Sequence, residues 1–429
     1  FFNVFVKNMN QKLTIDFARN LDLEDPISKY RDDFHIPKFK EGDAVYFNGN
    51  SLGLQLKEHD FYLKKALGDW KKMGVEGHFY AETPWFDYHK SLTKNTALLV
   101  GANTKEVVTM NGLSVNLHLL LTSFYNPNKK RFKILCEPSL FPSDLYILQS
   151  QIKLRGYNPD ESIIFLPADK NGVVSEDDIY NTILSHKDEL SLIFIGGVNY
   201  YTGQVFDISQ ITKIGHLHDI VVGFDLAHAA GNIELKLHDW NVDFAAWCSY
   251  KYLNSGPGNV SSIFIHENQI KNKPFRLSAW WGHDATNRFA IQKNFTPIPS
   301  AEGWQLSNAP VMGMSIYRKS LECFRAVGMQ DLIQKRIKMS QYLELAINSF
   351  NQLSTTTQLK IITPGSSDKR GAQLSIIIND NGKKIFNYLK KNGVYVDWRE
   401  PNVMRLAPTP LYNSYEDIAR FYIILCKCL

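Results

Sequence analysis

Short apolar runs alternate with longer amphipathic stretches through the middle of the chain. The apolar runs predict strands at Glu106–Met110, Lys133–Cys136, Ser162–Leu166, Leu192–Val198, Ile220–Asp225 and Phe244–Cys248. Apolar residues recur at helical spacing at 57–73, from Pro84 to about 100, and at 114–124, 142–155, 175–187 and 207–218. This alternation predicts an α/β domain with a mostly parallel sheet over residues 45–320.

The pattern changes after Pro310. Residues 311–349 predict a largely helical region. Strand-like runs and helices then follow at Lys360–Thr363, Ala372–Ile378, 383–391, Val394–Val396 and from Ser414. We therefore expect a smaller α+β domain over residues 321–429, with the N-terminal segment 1–44 packed on it. The connection 281–310 is long, and loops of this kind in compact enzymes are often functional.

The composition is that of a globular protein. Hydrophobic residues make up 44% of the 429 residues and charged residues 21%, which excludes a disordered or collagen-like chain. The net charge of +5 is slight for this length and is no nucleic-acid signature. No apolar run approaches the roughly 20 residues that span a bilayer. Phe1–Val6 is too short for the apolar core of a signal peptide, and Met9 is a candidate initiator.

The five cysteines have irregular spacing and do not form a disulfide framework. This favours a reducing compartment, and we expect a cytoplasmic protein. Cys426 and Cys428 flank one lysine near the C-terminus, but no histidine accompanies them. We therefore expect no metal site.

A carboxylate ends one of the predicted strands. Asp225 follows Val221–Phe224, and His228 comes three residues later. In a parallel sheet the carboxyl ends of the strands face the ligand crevice, so a carboxylate there would be partly desolvated and would need a cation. The alternative is that Asp225 caps a helix or a turn.

A lysine follows the next predicted strand. Phe244–Cys248 leads into Ser249, Tyr250 and Lys251, and a glycine- and proline-rich loop comes next. An apolar setting disfavours the ammonium form, and a neutral amine forms a Schiff base with an aldehyde. The alternative is a surface lysine whose stem covers apolar residues.

Together these residues fit pyridoxal 5′-phosphate. That cofactor needs a lysine for its aldehyde and an acid for its ring nitrogen. Its phosphate needs backbone N–H groups at a helix N-terminus, and Gly112–Ser114 lies between a predicted strand and a helix. A lone Gly-x-Ser is more often a plain helix cap. Phe141 lies at another strand-to-helix junction, where it would stack on the ring, and Asp144 would bond its edge.

The chain resembles kynureninase, a fold-type I pyridoxal-phosphate enzyme. The resemblance runs through most of the chain and rests on these segments: Phe47–Gln55, Ser114–His118, Phe141–Asp144, Tyr200–Gln204, Phe224–His228, Trp247–Asn254, Trp281–His283, Leu306–Pro310 and Arg405–Ser414. One position departs from the family. Where animal members can carry a serine before the Gly-Val of the strand that leads to Tyr200, this chain has Gly196 and Gly197. If the serine hydroxyl of those members contacts the cofactor, only the backbone can make that contact in this chain.

The resemblance implies site residues. Lys251 would carry the cofactor, Asp225 would hold the ring nitrogen, and Tyr250 would bind the phosphate and relay protons. The implied cofactor contacts are Leu113, Ser114, Phe141, Pro142, Ser143, Asp144, Gly196, Asp225, His228, Tyr250, Lys251, Trp280 and Asn308. The implied substrate contacts are Ser51, His78, Asn308 and Arg405, whose guanidinium suits a carboxylate.

The resemblance also implies an activity and an assembly. The activity is hydrolysis of L-kynurenine or 3-hydroxy-L-kynurenine to anthranilate or 3-hydroxyanthranilate and L-alanine, in tryptophan catabolism and NAD biosynthesis. We expect His78 in a loop after the helix predicted at 57–73, and Asn308 in the connection 281–310. Both favour the hydroxylated substrate, because a pocket that bonds a hydroxyl rejects the analogue that lacks it. The assembly is a homodimer with sites at the interface, where Trp280 and Asn308 come from the partner.

Two other functions stay open. The first is a cysteine desulfurase-like lyase or an aminotransferase on the same scaffold. A desulfurase would need a reactive cysteine on a mobile loop, whereas Cys136, Cys248 and Cys323 fall in strand-like and helical runs. The second is a catalytically silent protein that kept the fold. Loss of the lysine or the aspartate would indicate it, and both are present.

Overall fold

The computed structural model describes residues 12–290 and 293–428. The expectations about Phe1–Val6 and Met9 lie outside these residues. The chain divides into two compact units. The large unit comprises His59–Tyr200 and Phe206–Ala326, and the small unit comprises the residues through Glu58, Tyr201–Val205 and Val327–Leu429.

Short strands and helices alternate along much of the chain. The strands are β1 Lys38–Phe39, β2 Gly42–Asp43, β3 Val45–Tyr46, β4 Val107–Met110, β5 Lys133–Cys136, β6 Ile163–Phe165, β7 Leu190–Gly196, β8 Val221–Asp225, β9 Phe244–Cys248, β10 Ser261–Ile265, β11 Lys360–Ile361, β12 Leu374–Ile377, β13 Val394–Tyr395, β14 Asp397–Arg399 and β15 Val403–Leu406. The α-helices are α1 Ile15–Glu24, α2 His59–Met73, α3 Gly77–Tyr80, α4 Lys90–Val100, α5 Leu113–Phe124, α6 Pro142–Leu154, α7 Pro159–Ser162, α8 Glu176–His186, α9 Ile208–His216, α10 Glu267–Lys271, α11 Val311–Val327, α12 Met329–Leu353, α13 Gly382–Lys391 and α14 Tyr415–Cys426. Short 3₁₀ helices lie at Ser28–Asp33, Gly74–Glu76, Trp85–Asp87, Thr104–Glu106, Trp280–Gly282 and Ala301–Trp304.

The large unit is built around a seven-stranded sheet in the order β4-β10-β9-β8-β7-β5-β6. Neighbours from β9 through β6 are parallel, whereas β10 is antiparallel to both β4 and β9. The predicted α/β fold with a mostly parallel sheet is confirmed. The sequence pattern does not predict β10, because the strand begins with Ser261 and Ser262. Both serines are buried, and the Ser262 hydroxyl lies 2.9 Å from that of Thr109 on β4.

Local signals set the helix boundaries of this unit. The side chains of Ser175 and Asp207 each accept a backbone N–H at 3.0 Å, and α8 and α9 begin after them. Pro142 opens α6 at a position where its missing N–H costs nothing. The helical region predicted over 311–349 is two helices, because Gly328 between them has a φ of 85°.

The core of the large unit lies between the sheet and its helices. Phe124 of α5 stacks on Phe244 of β9 with ring centroids 4.8 Å apart. Trp304 is also buried there, and its indole N–H donates to the Ser123 hydroxyl at 2.9 Å. This packing holds α5 and β9 in fixed register, so the residues at their ends have fixed positions.

The small unit has a four-stranded antiparallel sheet in the order β11-β12-β15-β14. Its core joins this sheet to α1, α12 and α14 through residues such as Met339, Phe350 and Phe421. The sequence pattern does not predict β14 and β15, because Asp397, Arg399 and Arg405 interrupt their apolar residues.

The boundaries between the two units differ from the predicted domain boundaries, which are at residues 45 and 320. Residues 45–58 belong to the small unit because β3 pairs with β13. Tyr201–Val205 also belongs there, because Gln204 forms a β-bridge with Arg370. None of the described helices combines the length and the low polarity that crossing a membrane requires.

Candidate active site

Four residues lie at, or shortly after, the carboxyl ends of four adjacent strands. In the sheet order β9, β8, β7 and β5, these are Lys251 shortly after β9, Asp225 and Gly196 at the last positions of β8 and β7, and Glu137 directly after β5. We call these residues, with the strand-to-helix turns beside them, the carboxyl edge. Parallel strands place such residues in one row, which is where α/β proteins bind ligands.

Two carboxyl groups meet at this edge. The side chain of Asp225 is hydrogen-bonded to Asp144 in the first turn of α6, and it accepts the Ala227 N–H at 2.8 Å. Burial raises the pKa of both groups, and the charge of Asp225 raises that of Asp144 further. Asp144 is therefore the protonated partner and donates to Asp225. Lys251 acts in the opposite direction and lowers the pKa of both.

Lys251 lies over an aromatic ring at this edge. Its Nζ is 5.8 Å from the ring centroid of Phe141, which directly precedes α6. Phe141 is 38% exposed, and its ring also lies edge-on to Tyr200 with centroids 5.2 Å apart. A ring held in this way leaves a face on which a planar cofactor can stack.

The turn that carries Lys251 is fixed by buried polar contacts. The Ser249 hydroxyl lies 2.5 Å from that of Ser255 and also donates to the Val260 carbonyl. Asn254 adopts a left-handed conformation with a φ of 57° and donates its N–H to the Lys251 carbonyl at 3.1 Å. The lysine backbone therefore has a single defined position.

Two helix N-termini lie side by side near these residues. The Ser114 hydroxyl in the first turn of α5 is 3.2 Å from the Ser143 hydroxyl in the first turn of α6. Gly112 makes no side-chain cap on α5, so the first N–H groups of that helix remain available, Leu113 among them. Two positive helix ends and two hydroxyl groups suit a phosphate.

Tyr250 and His228 flank the same edge. Burial raises the pKa of the Tyr250 hydroxyl, which is hydrogen-bonded to Cys248. His228 is buried, and its ring lies edge-on to Tyr252 at 6.4 Å. The structure therefore brings together the predicted residues Ser114, Phe141, Ser143, Asp144, Asp225, Tyr250 and Lys251.

Three further predicted residues have other neighbours in the large unit. His78 was expected in a loop, but that expectation is wrong. It lies in α3, where Nδ1 is 3.0 Å from the Val75 carbonyl and the ring packs edge-on against Trp85 at 5.4 Å. Trp280 donates its indole N–H to the Arg288 carbonyl at 2.8 Å. Asn308 is exposed in the segment before α11.

Two predicted substrate contacts belong to the small unit. Arg405 on β15 is buried, and its Nε donates to Asp397 at 2.5 Å. Ser51 is exposed in a turn and donates its N–H to the Asn48 carbonyl at 2.9 Å. The substrate roles of these residues stay predictions.

Sequence reasoning did not assign Glu137 to the site. This residue is 4% exposed, and burial raises the pKa of its carboxyl group to about 7. It accepts the Gly196 N–H at 3.1 Å and the Asn199 amide at 2.9 Å. A charged residue directly after an apolar strand was the available signal, and the same signal identified Asp225.

Ionisable groups also come together at the amino ends of the parallel strands, which we call the amino edge. Glu106, His238 and His266 present possible metal-ligand atoms within 4.8 Å of one another. However, His266 Nδ1 accepts the Asn268 N–H at 3.2 Å, so Nε2 carries the proton. Both Glu106 oxygens accept backbone N–H groups, from Glu267 at 2.9 Å and Asn103 at 2.8 Å. His238 Nδ1 also lies 2.9 Å from Glu106, so the three side chains form a hydrogen-bond network.

The carboxyl edge fits pyridoxal phosphate. Asp225 and Asp144 form a buried acidic pair suited to a protonated ring nitrogen, Lys251 supplies the amine, and Phe141 supplies a stacking surface. The ends of α5 and α6 supply donors for the phosphate.

Comparison with known proteins gives consistent findings. A profile of the kynureninase C-terminal domain matches residues 332–425. The chain is 50% identical over 416 residues to the kynureninase of Christiangramia forsetii, covering 96% of this chain and 98% of the relative. It is 48% identical over 417 residues to the kynureninase of Flavobacterium psychrophilum, with coverage of 96% and 98%.

Solved structures share the fold at low sequence identity. A cysteine desulfurase from Thermococcus onnurineus has a TM-score of 0.75 and 17% identity, covering 93% of this chain and 97% of that one. The cystine C–S lyase C-DES, in complex with cysteine persulfide, has a TM-score of 0.76 and 15% identity, covering 89% and 97%. These likenesses establish the fold-type I architecture.

Proposed function

The chain belongs to the kynureninase family, and on that premise we propose that it hydrolyses 3-hydroxy-L-kynurenine in preference to L-kynurenine. Kynureninases are pyridoxal phosphate-dependent hydrolases that act on a carbon–carbon bond of kynurenine in tryptophan catabolism. The products of the preferred reaction would be 3-hydroxyanthranilate and L-alanine, and the route would feed NAD biosynthesis. The observation that carries the assignment to this site is the row of Lys251, Asp225 and Asp144 at the carboxyl edge.

The residues of the carboxyl edge would divide the proton transfers. Bound pyridoxal phosphate supplies an electron sink for the bonds at the substrate α-carbon. Asp225, assisted by the proton of Asp144, would keep the ring nitrogen protonated. Lys251 would remove the α-proton once the substrate amine has taken its place. Its defined backbone position keeps the amine within reach of that proton.

The bond cleavage needs a water molecule and a proton donor. Water would add to the γ-carbonyl, the Cβ–Cγ bond would break, and Cβ would receive a proton, which yields the anthranilate and alanine. Tyr250 is our candidate donor at this stage, because a phenol is protonated near neutrality and this one lies at the carboxyl edge. It follows β9 directly before Lys251, so both groups act from one turn.

The cysteine chemistry of the structural relatives has no support in this chain. None of the five cysteines, all of which lie in the described residues, forms a disulfide, and Cys136, Cys248 and Cys323 are buried. Burial raises the pKa of Cys136 and Cys248, which keeps them in the unreactive thiol form. Burial also raises the pKa of Cys428, to about 11. We propose that the protein is cytoplasmic, on the irregular spacing of its five cysteines.

We further propose that the enzyme is a homodimer. The aromatic residues Phe79, Tyr80, Trp280 and Phe289 are each more than half exposed. They form one surface, because Phe79 stacks on Phe86 at 5.9 Å and Phe289 contacts both Phe86 and Trp280 within 5.5 Å. Such a patch favours a protein partner, and we name a second copy. Light scattering should give a dimer for the wild type and a monomer for Phe289→Glu; a monomeric wild type would contradict this.

Product analysis with both kynurenines tests the proposed preference. We expect a higher kcat/KM with the 3-hydroxy substrate, and equal values would contradict it. Replacing His78 with Leu and Asn308 with Ala should flatten the preference without changing cofactor absorbance. A double variant with unchanged preference would show that the hydroxyl is recognised elsewhere.

A further inference from the structure

Glu137 occupies an unusual position for a buried carboxyl group. It directly follows β5 and bonds residues of the neighbouring strand β7 and the loop behind it. One carboxyl oxygen accepts the Gly196 N–H at 3.1 Å, and the other accepts the Asn199 side-chain amide at 2.9 Å. Gly196 leaves no spare room, since a Cβ there would lie 2.7 Å from the Glu137 oxygen. The group therefore joins the ends of two strands at the carboxyl edge.

Through Asn199, Glu137 is connected to Phe141, the ring on which the cofactor is expected to stack. Asn199 is followed by Tyr200, whose ring lies edge-on to Phe141 with centroids 5.2 Å apart. Phe141 in turn lies beneath Lys251. Glu137 therefore holds the residue next to Tyr200, which is the lateral support of the predicted stacking ring.

Glu137 is also the third acidic group of a buried cluster. Burial and the charge of Asp225 at the end of β8 raise the pKa of Glu137. Burial and the charge of Glu137 in turn raise the pKa of Asp144 in the first turn of α6 and of the Cys136 thiol on β5. Lys251 is the cation that acts on Asp144 and Asp225. With Asp144 protonated, Asp225 already balances Lys251. An ionised Glu137 would therefore leave the edge with one negative charge in excess.

The pKa of Glu137 lies where this charge can change. Burial raises it to about 7, while the two hydrogen bonds act to lower it. An acid with a raised pKa favours the empty folded protein at low pH, and that contribution is lost as pH rises through about 7. A bound cation reverses the balance, because it favours the ionised acid. The protonated ring of the cofactor is such a cation.

We infer that Glu137 is a positioning residue of the cofactor site, which supports Phe141 through Asn199 and Tyr200 and which makes cofactor affinity increase with pH near neutrality. The inference rests on the proposed function, because it takes the carboxyl edge as the site of pyridoxal phosphate. It assigns Glu137 no contact with the reacting atoms.

The test compares the dissociation constant of pyridoxal phosphate at pH 6 and pH 8, by equilibrium dialysis of the full chain freed of cofactor. Glu137→Gln keeps the size of the side chain, and Asn199 can rotate its amide to accept from the new donor. Ionisation of the cofactor phosphate and of Lys251 changes the dissociation constant equally in the wild type and in Glu137→Gln. Linkage to one proton therefore predicts that the pH 6 to pH 8 ratio of dissociation constants is larger in the wild type, by up to about tenfold.

The matched control is Asp243→Asn, which removes a buried carboxylate from the other edge of the same sheet. It should keep the wild-type ratio. An equal ratio in the wild type and Glu137→Gln would overturn the inference, and so would a ratio that Asp243→Asn also lowers. If the wild type bound no cofactor at either pH, the proposed function itself would fail. The two failures are therefore distinguishable.

A second variant covers the case in which Glu137→Gln does not fold. Asn199→Ser removes one donor from Glu137 and keeps its charge. The pH range over which affinity increases should then move upward, because an ionised carboxylate with fewer donors has a higher pKa. An unchanged range would contradict the inference. Cofactor absorbance should also change, because Phe141 loses support from Tyr200.

Discussion

The two edges of the seven-stranded sheet both bury carboxyl groups, but they treat them differently. At the amino edge, Asp243 accepts the Val222 N–H at 2.7 Å, the Gln269 amide at 2.7 Å and His216 Nε2 at 2.9 Å. Glu106 likewise accepts two backbone N–H groups and contacts His238. At the carboxyl edge, Asp144 and Asp225 face each other, with Lys251 as the nearby cation.

The difference distinguishes carboxyl groups that are buried to stabilise the fold from carboxyl groups that are buried to bind a ligand. A buried carboxylate with a full set of donors stabilises the fold by joining elements. A buried pair of acids that must share a proton raises the free energy of the empty protein, and a bound cation lowers it again. The carboxyl edge therefore has the properties of a site that binds a positively charged ring, whereas the amino edge is complete as it stands.

The largest effect is expected at Lys251. Lys251→Ala should abolish turnover, because no other amine lies at the carboxyl edge to carry the cofactor among the residues described. The fold should survive, since the lysine follows β9 and is not part of the core. Lys133→Ala is the matched control: this lysine begins β5 at the amino edge and pairs with Glu189. Steady-state assays should find the control active; activity in Lys251→Ala would break the comparison.

The next largest effect is expected at Asp225. Asp225→Asn keeps the shape but removes the charge that holds the ring nitrogen protonated. The barrier to removing the substrate α-proton should then rise by several kcal/mol. This corresponds to a fall in turnover on the order of a hundredfold or more, with a modest change in KM. Kinetics with saturating cofactor measure this fall. Turnover near the wild-type value would refute the role.

The same chemical change at the amino edge should act on stability. Asp243→Asn leaves the donors of Val222, Gln269 and His216 facing an amide, which costs roughly 1–3 kcal/mol of unfolding free energy. Denaturant unfolding of the cofactor-free chain measures this loss. Turnover of the folded variant should equal that of the wild type; a hundredfold loss would erase the distinction between the edges.

A smaller, pH-dependent effect is expected at His238. Its hydrogen bond to Glu106 raises the pKa of the imidazole. The pair therefore stabilises the fold fully below the ordinary histidine pKa, near 6.5, and this contribution is lost as pH rises through the raised value. The difference in Tm between wild type and His238→Gln should be larger at pH 6 than at pH 9. A difference independent of pH would show that the ion pair is not responsible.

Much of the fold follows from the sequence, but polar strands do not. The parallel strands β5, β8 and β9 match their predicted bounds within one residue, because each is a continuous apolar run. The sequence pattern does not predict β10, because it begins with two buried serines. It does not predict β14 and β15 either, because charged residues interrupt their apolar runs. Their pairing partners are distant in the chain, and only tertiary contacts make those polar positions acceptable in strands.

The site was predictable as far as single strand ends indicate it. Asp225, Lys251 and Phe141 each follow an apolar run, and the sheet brings them together. The hydrogen bond between Asp144 and Asp225 was not predictable, because it depends on how α6 lies on the sheet. Glu137 carried the same signal as Asp225, but its partners Gly196 and Asn199 are about 60 residues away and have no pattern of their own.

The most direct test of the account is to locate the cofactor. The purified protein would be reduced with borohydride, digested, and its pyridoxyl-labelled peptide sequenced by mass spectrometry. We predict a single adduct on Lys251, at the carboxyl edge. An adduct on another lysine, or none in a protein that turns over kynurenine, would contradict the assignment of the active site to this edge.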